Sequence, residues 1–208
     1  MAAPVAALAT VLMLTAVIAV VAWRVTRQTD QPSAPPQPRP PVAIVGAPPI
    51  PEFTLTERSG KTVTRADLEG KIWVVGFIFT RCPTSCPMIT AAMKKLSTQI
   101  TDPDVRFLSI SVDPEWDDPE VLRAYADDYG VDADRWWFVT GAKQSIYDLV
   151  QGGFKLALEE VPGPERVIHS NRLALVDRAS VVRAYTSGNE PEALAGIVQR
   201  VAELLAEK

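Results

Sequence analysis

Ile72-Trp-Val-Val-Gly-Phe-Ile-Phe-Thr-Arg-Cys-Pro-Thr-Ser-Cys-Pro-Met88 is the stretch whose reading decides the fold. Ile72 to Phe79 is an unbroken apolar run of strand length, the pattern of a strand covered on both faces. Past Thr80 and Arg81, the segment from Pro87 to Ile100 reads as a helix with a proline in its first turn. A buried strand that delivers the chain into a helix N-terminus is the unit of α/β layer folds. In open sheets of that kind the functional crevice lies at the C-terminal ends of the strands, which is where this sequence puts Cys82 and Cys86.

The same alternation continues downstream. Val105 to Val112 reads as a second buried strand. Asp118-Pro119-Glu120 opens a helix that runs to about Tyr129 and stops at Gly130. Trp136 to Val139 is expected as a strand and Ser145 to Val150 as a short helix. Phe154 to Leu158, Leu173 to Val176 and Val181 to Tyr185 follow as strands. Ser187 to Glu192 opens an amphipathic helix that ends near Leu205. Upstream, Phe53 to Thr64 around Ser59-Gly60 has the form of a hairpin. Strands alternating with helices predict an α/β fold with a partly parallel sheet.

The N-terminal part is different in kind. From Ala3 to Trp23 no side chain is charged, and at 1.5 Å per residue such a helix is about 30 Å long, the thickness of a bilayer core. Residues 1–24 are therefore expected to form a transmembrane anchor, with Trp23 at the interface. A cleaved signal peptide would carry a basic start and a shorter apolar core. Residues 25–50, rich in proline, read as an extended linker, and residues 51–208 as the folded domain. Arg24 and Arg27 follow the span and no Lys or Arg precedes it, a pattern that by itself puts the domain on the cytoplasmic side.

Composition narrows the chemistry. A net charge of −4 leaves no basic footprint for nucleic acid. There are two cysteines and one histidine. A disulfide between Cys82 and Cys86 would close a tiny loop and stabilise the fold little, so their proximity points to chemistry. A four-residue spacing sets both on one face of a helical turn. The helix N-terminus and the adjacent Arg81 are both expected to favour thiolate, the nucleophilic and metal-binding form. Thioredoxin-type redox enzymes place two residues between their cysteines, against three here, and a structural zinc site takes four protein ligands. Two soft thiolates with an imidazole from His169 suit copper, as Cu(I) or Cu(II). Dithiol redox chemistry, which does not need His169 as a ligand, stays open. So do thiol peroxidase chemistry and an inert disulfide. Asp113 reads as a turn or outer-shell residue near the cysteines. Met88 and Met93 read as packing residues, and Asp117, Asp118 and Glu120 as helix-start charges.

Three segments in order, FTRCPTSCP (79–87), SVDPEWDDPEVLRAYA (111–126) and VIHSNRLALVD (167–177), together resemble the Sco/SenC family over about residues 50–208. The resemblance implies a thioredoxin-like fold with a hairpin insertion, and copper held by Cys82, Cys86 and His169. It also implies a metallochaperone more than an enzyme, delivering copper to the dinuclear copper centre of cytochrome c oxidase subunit two. The alternative it carries is a thiol–disulfide oxidoreductase in which Cys82 and Cys86 reduce the cysteines of that centre. The domain would then face the periplasm or cell exterior, against the two-arginine pattern. Thr84-Ser85 stands where many relatives carry an acidic residue, and Ile168 where some carry Asp.

Overall fold

The computed structural model describes residues 13, 16–24, 41–160, 167–188 and 190–207, and at 160, 167–169, 191 and 192 the backbone alone. The chain divides into a unit over Met1–Gln37 and one over Pro38–Lys208. In the first, residues 16–24 are helical. Residues 1–12, 14 and 15 of the expected membrane span lie outside the described residues, among which no helix is long and apolar enough to cross a membrane.

The second unit is built on a mixed sheet whose strands run β1-β10-β9-β4-β5-β6-β2-β3. Its centre is the decisive apolar run: β4 (Ile72–Ile78) is buried at every position and pairs in parallel with β5 (Val105–Ser111), from Ile72 opposite Val105 to Ile78 opposite Ser111. β5 pairs in parallel with β6 (Trp136–Thr140), which fixes the C-terminal ends of three neighbouring strands on one edge. On the other flank, β9 (Arg172–Val176) runs antiparallel to β4, with Val75 opposite Ala174. β10 (Val182–Ser187) pairs with β9, and β1 (Val42–Ala43) with β10. The predicted hairpin is β2 (Thr54–Glu57) with β3 (Thr62–Thr64). A separate two-stranded sheet joins β7 (Leu158–Glu160) to β8 (Val167–His169).

Helix α1 (Ser85–Gln99) lies over β4 and buries Cys86, Ile89, Met93 and Leu96. Its close approach depends on Gly76, where an added methyl would sit 3.4 Å from both Ile89 and Leu173. Helix α2 (Pro119–Asp128) starts as read, with the Asp118 carboxylate accepting from the Val121 N–H. Helix α3 (Lys143–Tyr147) runs into a π-helical turn, Asp148–Gly153. Helix α4 (Pro191–Ala206) closes the chain with proline in its first turn.

Two boundaries differ from the sequence reading. Phe154 to Leu158 is not a strand: Lys155 takes a left-handed φ of 54°, which breaks the extended path, and pairing begins only at Leu158. The alternating apolar residues are buried all the same, because Phe154 packs edge-on against Phe77 with ring centroids 5.0 Å apart. At the other end, residues 42–50, read as linker, contribute β1, a bridge from Pro49 to Val181 and the buried side chain of Ile50.

Candidate metal and redox site

Beyond Ile78 the chain passes through Phe79-Thr80-Arg81 and reaches Cys82, whose N–H donates to the Phe79 carbonyl at 3.2 Å. Three residues later α1 begins, with Cys86 in its first turn. Neither cysteine is in a disulfide, and both are buried, Cys82 at 7% exposure and Cys86 at 0%. The Cys82 sulfur takes the place of a capping side chain: the Cys86 N–H donates to it at 3.4 Å, and Thr84, at the helix start, makes no side-chain cap. The Ser85 hydroxyl lies 3.4 Å and the Thr84 hydroxyl 3.9 Å from the same sulfur.

These contacts make the two thiols unlike. Burial pushes the Cys82 thiol up, but hydrogen bonds from the Ser85 hydroxyl, the Cys86 and Thr84 N–H groups and the Cys86 side chain more than offset it, and the net result is about 7. The Cys86 thiol is driven well above its ordinary value, chiefly by deeper burial and further by the neighbouring Cys82, although the Phe79 N–H donates to its sulfur at 3.4 Å. Cys82 is therefore the more readily ionised thiol and Cys86 the more deeply buried partner. Within the Thr84-Ser85 pair, the Ser85 hydroxyl has a local role: its hydrogen bond to the Cys82 sulfur favours the thiolate.

Arg81 does not act on Cys82 as the sequence suggested. Its guanidinium donates to Asp113 at 2.5 Å and stacks 4.3 Å from the centroid of half-exposed Trp116. Asp113 thus partners the arginine next to Cys82, and its carbonyl accepts from the Trp116 and Asp117 N–H groups. Asp118 and Glu120 are the helix-start charges expected, but Asp117 is not: it is fully buried. Its carboxylate accepts from the Thr80 N–H at 3.1 Å, the Thr80 hydroxyl at 2.5 Å and the Ser111 hydroxyl at 2.6 Å. It ties the end of β5 to the loop that carries Cys82. Among Asp117, Asp118 and Glu120 the sequence holds no sign of which one turns inward. Met93 is packing, as read, whereas Met88 is half-exposed beside the site.

His169 is the last residue of β8, opposite Leu158. Two residues on, the Asn171 carbonyl accepts from the Gly188 N–H at 2.8 Å, and a methyl built on Gly188 would lie 3.1 Å from that carbonyl and 3.2 Å from Ile89 of α1. Because β9 is antiparallel to β4, the turn from His169 into β9 lies at the edge of the sheet that bears the cysteines. Among the described residues no three of His, Cys, Asp and Glu cluster as a metal site, and the His169 side chain lies outside that description.

Comparison with known proteins matches the SCO1/SenC family model to residues 45–204. The SCO1 protein homolog of Bacillus subtilis (strain 168) is 39% identical over 127 residues, spanning 60% of this chain and 66% of the relative. A solved structure of BsSco, described with a disulfide switch and as a member of the Sco family of cytochrome c oxidase assembly proteins, is 32% identical with a TM-score of 0.71. It covers 80% of this chain and 99% of its own. Bradyrhizobium japonicum ScoI with copper bound is 26% identical, TM-score 0.61, over 74% of this chain and 99% of its own. Residues 45–204 span the sheet from β2 onward and all but the last residues of α4, a thioredoxin-like arrangement.

Proposed function

The chain belongs to the SCO1/SenC family, thioredoxin-like copper chaperones, and from that premise we propose that Cys82, Cys86 and His169 together bind one copper ion. The chain then delivers that copper to the dinuclear centre of cytochrome c oxidase subunit two. The observation that carries this reading is the cysteine pair: two uncrosslinked, buried thiols one helical turn apart, one of them made easier to ionise by four hydrogen bonds. Two thiolates are soft donors, and with one imidazole they satisfy Cu(I) in three-coordination. Copper is cargo here, and the residues present fit it: both sulfurs are soft donors free of a disulfide, and Arg81 is paired with Asp113 and Trp116.

The test is copper stoichiometry with electron paramagnetic resonance of the Cu(II)-loaded domain. One copper per chain with sulfur-to-copper charge transfer is expected, lost in Cys82→Ser and in Cys86→Ser and weakened in His169→Ala. Copper affinity unchanged in His169→Ala would overturn the three-ligand set.

A second reading is favoured by the inequality of the thiols. A nucleophilic Cys82 backed by a sheltered Cys86 suits thiol–disulfide exchange: the Cys82 thiolate attacks a client disulfide, and Cys86 resolves the mixed disulfide, leaving the client reduced and this pair oxidised. Cys86→Ser would trap that mixed disulfide, while His169→Ala would leave the exchange intact.

Residues 1–24 are proposed to anchor the chain in a membrane, residues 25–50 to space the domain from it, and the domain to face the periplasm or cell exterior. Protease accessibility of the domain in intact cells stripped of their outer barrier decides the orientation. Protection throughout would assign the opposite topology, the one suggested by Arg24 and Arg27.

A further inference from the structure

The β7–β8 hairpin carries His169, yet among the described residues its strands pair only with each other. A two-stranded ribbon is marginal by itself and takes its position from what holds its edges. One edge is held. The Gln151 side-chain amide, on the π-helical turn, donates to the Leu158 carbonyl at 2.7 Å, and Leu158 is the residue opposite His169 in the ladder.

The π-helical turn is itself tied to the strand that leads to the cysteines. Phe154, at the end of the turn, donates its N–H to the Leu149 carbonyl at 2.9 Å and packs its ring on Phe77 of β4. The Tyr185 hydroxyl of β10 donates to the Phe154 carbonyl. Leu156, between turn and hairpin, is buried and donates to the Val150 carbonyl at 3.1 Å. A continuous chain of contacts therefore runs from β4 through Phe154 and Gln151 to Leu158, one cross-strand step from His169. A π-helical turn closes its hydrogen bonds over one more residue than an α-helix, and such turns are frequent at functional sites. Here it carries the amide that meets the outer edge of β7 at Leu158.

We propose that Gln151 is a positioning residue: through Leu158 it sets the place of the His169 backbone relative to the cysteine pair, and so the affinity for copper. This rests on the reading of His169 as a copper ligand.

The test uses Gln151→Met in the full chain, a side chain of similar length with no donor, at an exposed position. His169 is the one histidine in the chain, so its imidazole gives a single set of nuclear magnetic resonance signals. In the metal-free protein those signals are expected to shift or broaden, and amide exchange at 158 and 167–169 to quicken about three- to tenfold, as for the loss of one hydrogen bond. Copper affinity falls by a similar factor, the unfolding midpoint falls by no more than about 2–4 °C, as for one lost hydrogen bond in a domain of this size, and Gln151→Met causes no further loss of affinity in a His169→Ala background. Wild-type exchange and affinity in Gln151→Met would overturn the proposal alone, as would an equal loss of affinity in the His169→Ala background. Copper affinity unaltered by His169→Ala would instead overturn the ligand reading, and this proposal with it.

Discussion

Cys82 and Cys86 share a helical turn but not an environment, and the difference lies in which atoms point at each sulfur. Cys82 collects donors from the helix start, and Cys86 is turned into the core against β4. In the reduced, metal-free protein, alkylation of Cys82 is expected to rise with a midpoint near its value of about 7, while Cys86 reacts far more slowly. Ser85→Ala removes one of the donors and moves that midpoint upward; a pH series of iodoacetamide labelling read by mass spectrometry checks both. Asp117 gives a second prediction. Loss of its carboxylate in Asp117→Ala strands the Thr80 N–H and two hydroxyls, for about 2–3 kcal/mol of destabilisation by urea unfolding. Burial raises its folded-state pKa above the unfolded value, against the hydrogen bonds from Ser111 and Thr80. The folded protein therefore holds this proton more tightly, and the stability linked to it is lost as pH rises from about 4 through the folded-state value. Asp117→Asn removes that dependence, so the difference in unfolding free energy between variant and wild type should shift in the variant's favour from acid to neutral pH. At this scale the sequence marked the two cysteines but not the donors. Arg81 looked like the group acting on Cys82, and only its pairing with Asp113 and Trp116 shows that it does not.

The elements were more legible than their ends. A run with no polar interruption had one physical solution, a strand covered on both faces, and β4 is that strand. Asp118 followed by Pro119 marked a helix start because a cap and a proline fit the first turn together. The segment after the π-helical turn resembles a strand in sequence because Phe154, Leu156 and Leu158 alternate with Lys155 and Ala157, and nothing local marks Lys155 for a left-handed conformation. The close packing of α1 on β4 sets where the cysteines stand relative to the sheet. Gly76→Val would force branched methyl groups against Ile89, Leu173 and Met93, costing about 1–3 kcal/mol and displacing the first turn of α1. Thermal unfolding together with a fall in copper affinity checks this; unchanged affinity in a folded variant would show that the site tolerates the shift.

At the scale of the whole molecule, the chain order hides the site. Cys82 and His169 are brought to the same sheet edge only because β9 returns antiparallel beside β4. The domain also begins earlier than its proline content suggests. A chain starting at residue 41 keeps β1 and Ile50, whereas one starting at residue 51 loses both the edge strand and a buried side chain. The shorter chain is expected to be less stable by about 2–5 kcal/mol, from the buried Ile alone, in urea unfolding of the two truncations. Equal stabilities would mean that residues 41–50 contribute nothing to the fold.

From the sequence alone came the α/β class, the strand and helix that flank the cysteines, and the three residues proposed to hold copper. Periodicity and side-chain chemistry are local properties, and they survive being read one residue after another. Tertiary structure alone decided that Asp117 is a buried clamp, that Arg81 belongs to Asp113 and that Gln151 reaches the strand opposite His169. Each of those depends on the direction in which one strand returns beside another, and that is set by long-range pairing and burial, not by neighbours in the chain.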